Sequence, residues 1–191
     1  VRIAIVGSQE DKWIKEQIVK AKNEIFFILA EHAKQIDGTA GIYNNDYDWS
    51  VLTLVSGHCP KGGVDIWAED IANELGISKE IYEQEVNQWE DEIGNLETIG
   101  VCPVDHTKID LSKHNCNRLI GFKTRNKQIA QACDILYCIV PMRYVGFNAE
   151  SYPPQLYCKH CKVWKHPTNG ACWTMKETKK LGKETHLVVI K

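Results

Sequence analysis

The stretch VLTLVSGHCPKGGVDIWAEDIANELG, residues 51–76, decides the fold. Val51 to Ser56 reads as a buried strand, Gly57 to Gly63 as a glycine-rich loop, and Val64 to Leu75 as a helix that Gly76 ends. The same plan opens the chain. Val1 to Val6 is a short apolar strand that runs into Gly7-Ser8-Gln9, and Trp13, Ile14, Ile18, Ala21, Ile25 and Leu29 then recur near the helical period. Gly38 to Trp49 has the composition of a loop and separates the two units. Ile77 to Tyr82 is a third strand, and residues 83–115 form a long excursion without a clean period. A helix follows from about Asn117 to Ala132, then a fully apolar strand from Ile135 to Val140. Trp173 to Leu181 is a last helix stopped by Gly182, and His186 to Ile190 the last strand. Strand and helix in alternation predict an α/β, Rossmann-like three-layer sandwich with a mainly parallel sheet, one domain over residues 1–191.

At 191 residues the chain can bury a sizeable core without staples. Its formal net charge of −2 excludes a protein whose whole surface grips nucleic acid, though a local basic patch survives such an average. Neither an 18-residue apolar run nor a charged-then-apolar leader occurs, so the expectation is a cytoplasmic protein without a membrane partner. In a reducing compartment its eight cysteines are metal ligands or buried apolar fillers rather than disulfides. Cys133 and Cys138, beside or inside the apolar strand, read as fillers.

Four residues near the C-terminus are spaced C-x2-C-x4-H-x5-C: Cys158, Cys161, His166 and Cys172. The set fits Zn²⁺, which takes thiolates and imidazole in a closed tetrahedron, and the C-x2-C step lets two thiolates of one tight turn reach the same ion. This predicts a zinc-knuckle-like insertion at about 141–172 with a structural zinc. His160 competes with His166 as the fourth ligand, but its place beside Cys161 strains a shared tetrahedron. Cys102, His106, His114 and Cys116 make a second cluster of poor spacing, read as loop cysteines with solvated histidines.

Ligands of open parallel sheets collect at the carboxyl ends of strands, and three glycine-bearing turns fall there: Gly7-Ser8, Gly57 to Gly63, and Asn169 to Thr174. Convergence of the three would make a phosphate cradle. Ser8, Ser56 and Thr174 offer hydroxyls, Lys61 adds a point charge, and the last turn opens a helix whose free N–H groups can meet an anion. The second turn lacks the Gly-Lys-Ser/Thr ending of a nucleoside-triphosphatase loop, and the first lacks the three-glycine dinucleotide fingerprint.

Several segments taken together resemble the motifs of the SLOG superfamily of Rossmannoid domains, which includes the DprA-like and LOG-like groups. They are Ile3 to Ser8, Val55-Ser56-Gly57 with Gly62 to Asp65 and Ala68-Glu69, Lys123 to Ala130 before the Asp134 strand, and Gly170 to Thr174 before Gly182-Lys183. The resemblance implies a nucleotide or nucleotide-derived ligand across the strand ends, held by Gly7, Ser8, Gly57, Lys61, Gly62, Gly63, Asp65, Arg125, Asn126, Gly170, Trp173 and Thr174. Arg125 matches the arginine that reaches the ligand in LOG-type proteins. The LOG motif Pro-Gly-Gly-x-Gly-Thr-x-x-Glu is altered here, with Lys176 in place of its acid and Glu177 one residue late, a rotation of about 100 degrees on a helix.

Nucleotide binding is therefore the first expectation. A LOG-like nucleoside monophosphate glycosidase is the alternative, with Asp65 and Arg125 as catalytic candidates. A single-strand nucleic-acid clamp made of Lys159, Lys162, Trp164 and Lys165 is the third, with the acidic balance against it. Assembly into a homo-oligomer is left open.

Overall fold

The computed structural model describes residues 1–34, 47–59, 61–83, 117–142, 158, 160–163 and 170–191, with side chains in the third helix from 124 onward. Strands β1 (Arg2–Gly7), β2 (Thr53–Ser56), β3 (Ser78–Ile81), β4 (Ile135–Pro141) and β5 (Glu184–Ile190) form one sheet in the order β3-β2-β1-β4-β5. Every pairing is parallel. The helices are α1 (Lys15–Ala33), α2 (Val64–Leu75), α3 (Asn117–Ala132) and α4 (Gly170–Lys180). The Rossmann-like α/β architecture read from the sequence is therefore the observed one. The chain moves outward from β1 through β2 to β3, then returns to β4 on the other side of β1. The strand order reverses between β1 and β4, and sheets of this kind take ligands at the carboxyl ends of the strands beside such a reversal.

The period of two along each strand sorts the core into two layers. Ile3 and Ile5 of β1, Leu54 of β2 and Ile139 of β4 pack with Ala21, Ile25, Ile28 and Leu29 of α1 and with Val64, Trp67, Ala68 and Ala72 of α2. Ala4, Val6, Val55, Leu136, Cys138 and Val140 face the other way, against Ile129 and Ala132 of α3 and Ala171 and Cys172 of α4. Each fully buried Leu or Ile contributes about 1.5–3 kcal/mol by leaving water. Trp67 meets Trp13 edge-on at 5.5 Å. One polar residue of α1 enters this layer: Gln17 is buried, and its Nε2 donates to Met142 O at 2.8 Å and Ile190 O at 3.3 Å, tying the ends of β4 and β5 together.

Several boundaries differ from the sequence reading, each for a local reason. Trp49–Val51 is a 3-10 turn capped by the Asp48 side chain, which accepts from Ser50 N–H, so β2 starts at Thr53 rather than Val51. Trp13 lies before α1 and donates its indole N–H to Ser8 O. Helix α4 starts at Gly170, three residues earlier than the apolar pattern suggested, because Ala171 and Cys172 are already in its buried first turn. Helix α2 runs as read, with Gly76 in the left-handed conformation donating to Ala72 O and Asn73 O. Most of the insertion at 141–172 and all of Cys102, His106, His114 and Cys116 lie outside the described residues.

Candidate functional site

Gly7 ends β1 where there is no room for a side chain. A Cβ there would stand 2.4 Å from both Ile139 O and Val64 Cγ2. Gly63 has φ 99°, and its Cβ would stand 2.4 Å from Ser8 O. These glycines let the first turn of α2 press directly on the end of β1, where Val64 N–H donates to Ser8 O at 3.3 Å. The two loops do converge, but the close approach is of backbone to backbone.

Two charges are buried beneath this junction. Asp65, in the first turn of α2, is 5% exposed and accepts from Gly7 N–H at 3.2 Å. Burial pushes its carboxyl up to about 6, against the pull of the Arg125 charge and the Gly7 N–H. Arg125 of α3 is 7% exposed. Its Nη1 donates to Gly57 O at 2.8 Å, and Nε and Nη2 donate to Asn126 Oδ1 at 3.3 and 3.1 Å. Gly57 leaves the space for it, since a Cβ there would lie 3.0 Å from the guanidinium carbon. The guanidinium fastens the β2–α2 loop to α3. That differs from a residue aimed only outward at a ligand, so its removal carries a stability cost that the sequence reading did not foresee.

A third group escaped the sequence reading. Ser56 Oγ donates to Glu69 Oε1 at 2.6 Å, and the other oxygen of Glu69 lies 2.8 Å from Nδ1 of His58. His58 N–H closes the ring by donating to Ser56 Oγ at 3.4 Å. The legible signal was the pair Asp65 and Glu69, four residues apart and hence on one face of α2, the face that also carries the buried Ala68 and Ala72. Acids in a buried stripe need partners. Of the hydroxyls expected to serve an anion, Ser56 is spent on Glu69, and Thr174 is buried with its hydroxyl on Gly170 O. Ser8 is buried at the end of β1, Lys61 and Gly62 lie on the loop, Gly170 opens α4 with Asn126 against it, and Trp173 is half-buried.

The cysteines assemble against α4. The sulfurs of Cys158, Cys161 and Cys172 lie within 4.8 Å of one another, and Cys158 and Cys172 are fully buried. A tetrahedral ion with Zn–S bonds of about 2.3 Å needs sulfurs about 3.8 Å apart, so modest adjustment brings all three to one ion. Burial works against the Cys158 thiolate, yet hydrogen bonds from the backbone of Cys161 and His160 outweigh it and lower the thiol's pKa. Burial pushes the Cys161 thiol up to about 12. The Cys138 thiol and burial raise that of Cys172 as well. Crowded thiols of this kind release their protons readily only to a cation, which fits a soft metal. The ligand atoms of His160 are not part of this group, and His166 lies outside the described residues. Cys138, read as a filler, is fully buried in β4, with its sulfur 3.7 Å from that of Cys172. Lys159, Trp164 and Lys165 of the expected nucleic-acid clamp lie outside the described residues.

No helix among the described residues is long and apolar enough to cross a membrane. No protein-family model and no curated protein matches the chain. Among solved structures it is similar to DNA processing protein A (DprA) from Streptococcus pneumoniae, at 14% identity and a TM-score of 0.46. The match covers 97% of this chain and 49% of that one, so the chain spans about half the length of that protein.

Proposed function

We propose that the chain binds a nucleotide or nucleotide-derived small molecule at the carboxyl edge of the sheet, beside a structural zinc. The observation that carries this reading is the buried pair Asp65 and Arg125 beneath the junction of β1, β2 and α2. Burying ionisable groups is costly, and a carboxyl held near neutrality at the strand ends is the kind of group that functional sites collect. The resemblance to SLOG domains supports the same edge. In this reading Gly7, Gly57 and Gly63 shape the ligand site, while Ser8, Lys61, Gly62, Arg125, Asn126, Gly170 and Trp173 line it. Cys158, Cys161, Cys172 and His166 hold the zinc, which fixes the start of α4 as one wall.

The raised carboxyl of Asp65 favours one alternative, the glycosidase, because proton donation to a leaving base needs an acid that is protonated near neutrality. A thermal-shift panel of nucleoside monophosphates, nucleoside diphosphates and bare nucleosides tests binding, with release of free base followed in the same samples. At a hundred times Kd a ligand adds about 2.7 kcal/mol to the native state. Shifts for phosphates and none for nucleosides are expected, and equal, negligible shifts for all would remove the reading. Metal analysis of protein purified without added zinc is expected to give one zinc per chain.

A further inference from the structure

His58 sits on the first turn after β2 with a backbone φ of 44°, in the left-handed region that residues other than glycine rarely adopt. Its ring is fixed from inside the protein. The Glu69 side chain is only 8% exposed and is itself held by Ser56, whereas the His58 side chain is 47% exposed. With Nδ1 occupied by Glu69, the nitrogen left for an external group is Nε2, and among the described residues it has no protein partner. Lys61 stands exposed three residues further on the same loop.

Resting on the nucleotide-binding reading above, we propose that His58 is the phosphate-binding residue of this site. Its imidazolium, oriented by Glu69, donates from Nε2 to the terminal phosphate monoester of the nucleotide. The carboxylate on Nδ1 stabilises the doubly protonated ring, and a doubly protonated ring donates from both nitrogens. That state suits an anion and is the wrong one for taking a proton from substrate. A monoester near neutral pH carries more charge than an internal phosphodiester, so a cationic ring favours a nucleotide over a nucleic-acid backbone.

The charges facing the ring set the pH window. The Glu69 hydrogen bond and its charge raise the pKa of His58, Glu83 adds to them, and desolvation and Lys79 oppose. Phosphate contact therefore weakens as pH rises through that raised pKa.

The experiment is calorimetric titration of adenosine monophosphate into the protein, its His58→Gln variant and its Glu69→Gln variant at pH values from about 5.5 to 8.5, bracketing the His range. The ratio of variant to parent Kd cancels the ligand's own second ionisation, near roughly pH 6. His58→Gln is expected to weaken binding about tenfold at the acid end, with the ratio falling toward one at the alkaline end. Glu69→Gln moves the midpoint of that fall to lower pH, a change that a purely structural glutamate would not produce. Adenosine, without phosphate, should not distinguish the three proteins.

A second measurement needs no variant. The ring proton signals of His58, followed by NMR, should show its pKa rising when inorganic phosphate is added. Parent protein that binds the nucleotide with no change in the His58 pKa, or a His58→Gln ratio of one throughout, overturns this assignment and leaves the nucleotide reading standing. Parent protein that binds no nucleoside phosphate at all removes both.

Discussion

On one face of the sheet α1 and α2 lay down Ile25, Ile28, Leu29, Val64 and Trp67, with Trp13 from the turn before α1. On the other, Ile129, Ala132, Ala171 and Cys172 of α3 and α4, with Cys133 and Cys158, pack among the described residues against Ala4, Val6, Val55, Leu136, Cys138 and Val140 of the sheet. Burial stabilises in proportion to apolar area, so the first layer is held chiefly by hydrocarbon. The second, among the described residues, adds four buried cysteines to its aliphatic side chains, and Cys158 and Cys161 meet Cys172 there at the sulfurs. A metal there would add cohesion at the sulfurs that the first layer has no counterpart for. The buried Arg125 and Asn126 belong to α3, on this same side.

The largest expected effect breaks that comparison directly. Structural zinc in small modules contributes about 10–16 kcal/mol of binding energy. Chelation, or Cys172→Ser, should therefore strip hydrogen-exchange protection from α4 and the facing part of α3 while α1 keeps its own. His166→Ala should lose zinc, whereas Cys138→Ser should retain it. If Cys138→Ser empties the site and His166→Ala does not, the fourth ligand is the buried thiol of β4. Equal protection of α1, α2, α3 and α4 after chelation would mean the two layers are stabilised alike.

Next in size is Leu29→Ala, in the hydrocarbon layer, where a truncated buried leucine costs about 2–5 kcal/mol. Zinc content per folded molecule should not change, and denaturant unfolding with metal analysis of the same sample checks both statements. Loss of zinc with this variant would show the layers to be one cooperative unit.

Asp65 tests where the layers meet. Its carboxyl rises from 3.8 to about 6 on folding, chiefly through burial. Between those values the native protein keeps a proton that the unfolded chain has released, so stability falls as pH rises through the window. The full drop is about 3 kcal/mol, complete above pH 6. Measured against Asp65→Asn, which cannot titrate, the difference in unfolding free energy should decline from pH 4 to pH 6 and then level. A difference that stays flat would mean that Arg125 and the Gly7 N–H cancel the burial.

Strand and helix positions were legible because periodicity and glycine stops are local properties, and residues 64–75 and 117–132 kept their boundaries. The cysteine cluster was legible through spacing alone, since a C-x2-C turn brings its sulfurs together whatever the rest does. Cys138 was not, because nothing local distinguishes a thiol that fills space from one that lies beside others. The polar network of Ser56, His58 and Glu69 depends on a loop folding back over the second turn of α2. The role of Arg125 depends on contact with Gly57, 68 residues away. The resemblance to LOG-type proteins suggested a ligand for that arginine, and packing gives it a structural task.

The smallest predicted effect concerns Lys183, quoted with Gly182 among the motif residues and therefore open to a functional reading. Its ammonium donates to Ala130 O at 3.1 Å, Gln131 O at 2.5 Å and Cys133 O at 2.6 Å, the exposed carbonyls at the end of α3. A cation there satisfies groups with no partner inside the helix and complements its dipole. Lys183 precedes β5, so it lies at the amino edge of the sheet, opposite the proposed ligand site. Lys183→Met keeps the apolar stem and should cost about 1–2 kcal/mol in denaturant unfolding, with nucleotide affinity and zinc content unchanged. Because α3 carries Arg125 on its way to this cap, a loss of affinity from so distant a change would mean that the end of α3 sets the position of the guanidinium. The thiol-lined layer would then transmit strain that the hydrocarbon layer does not.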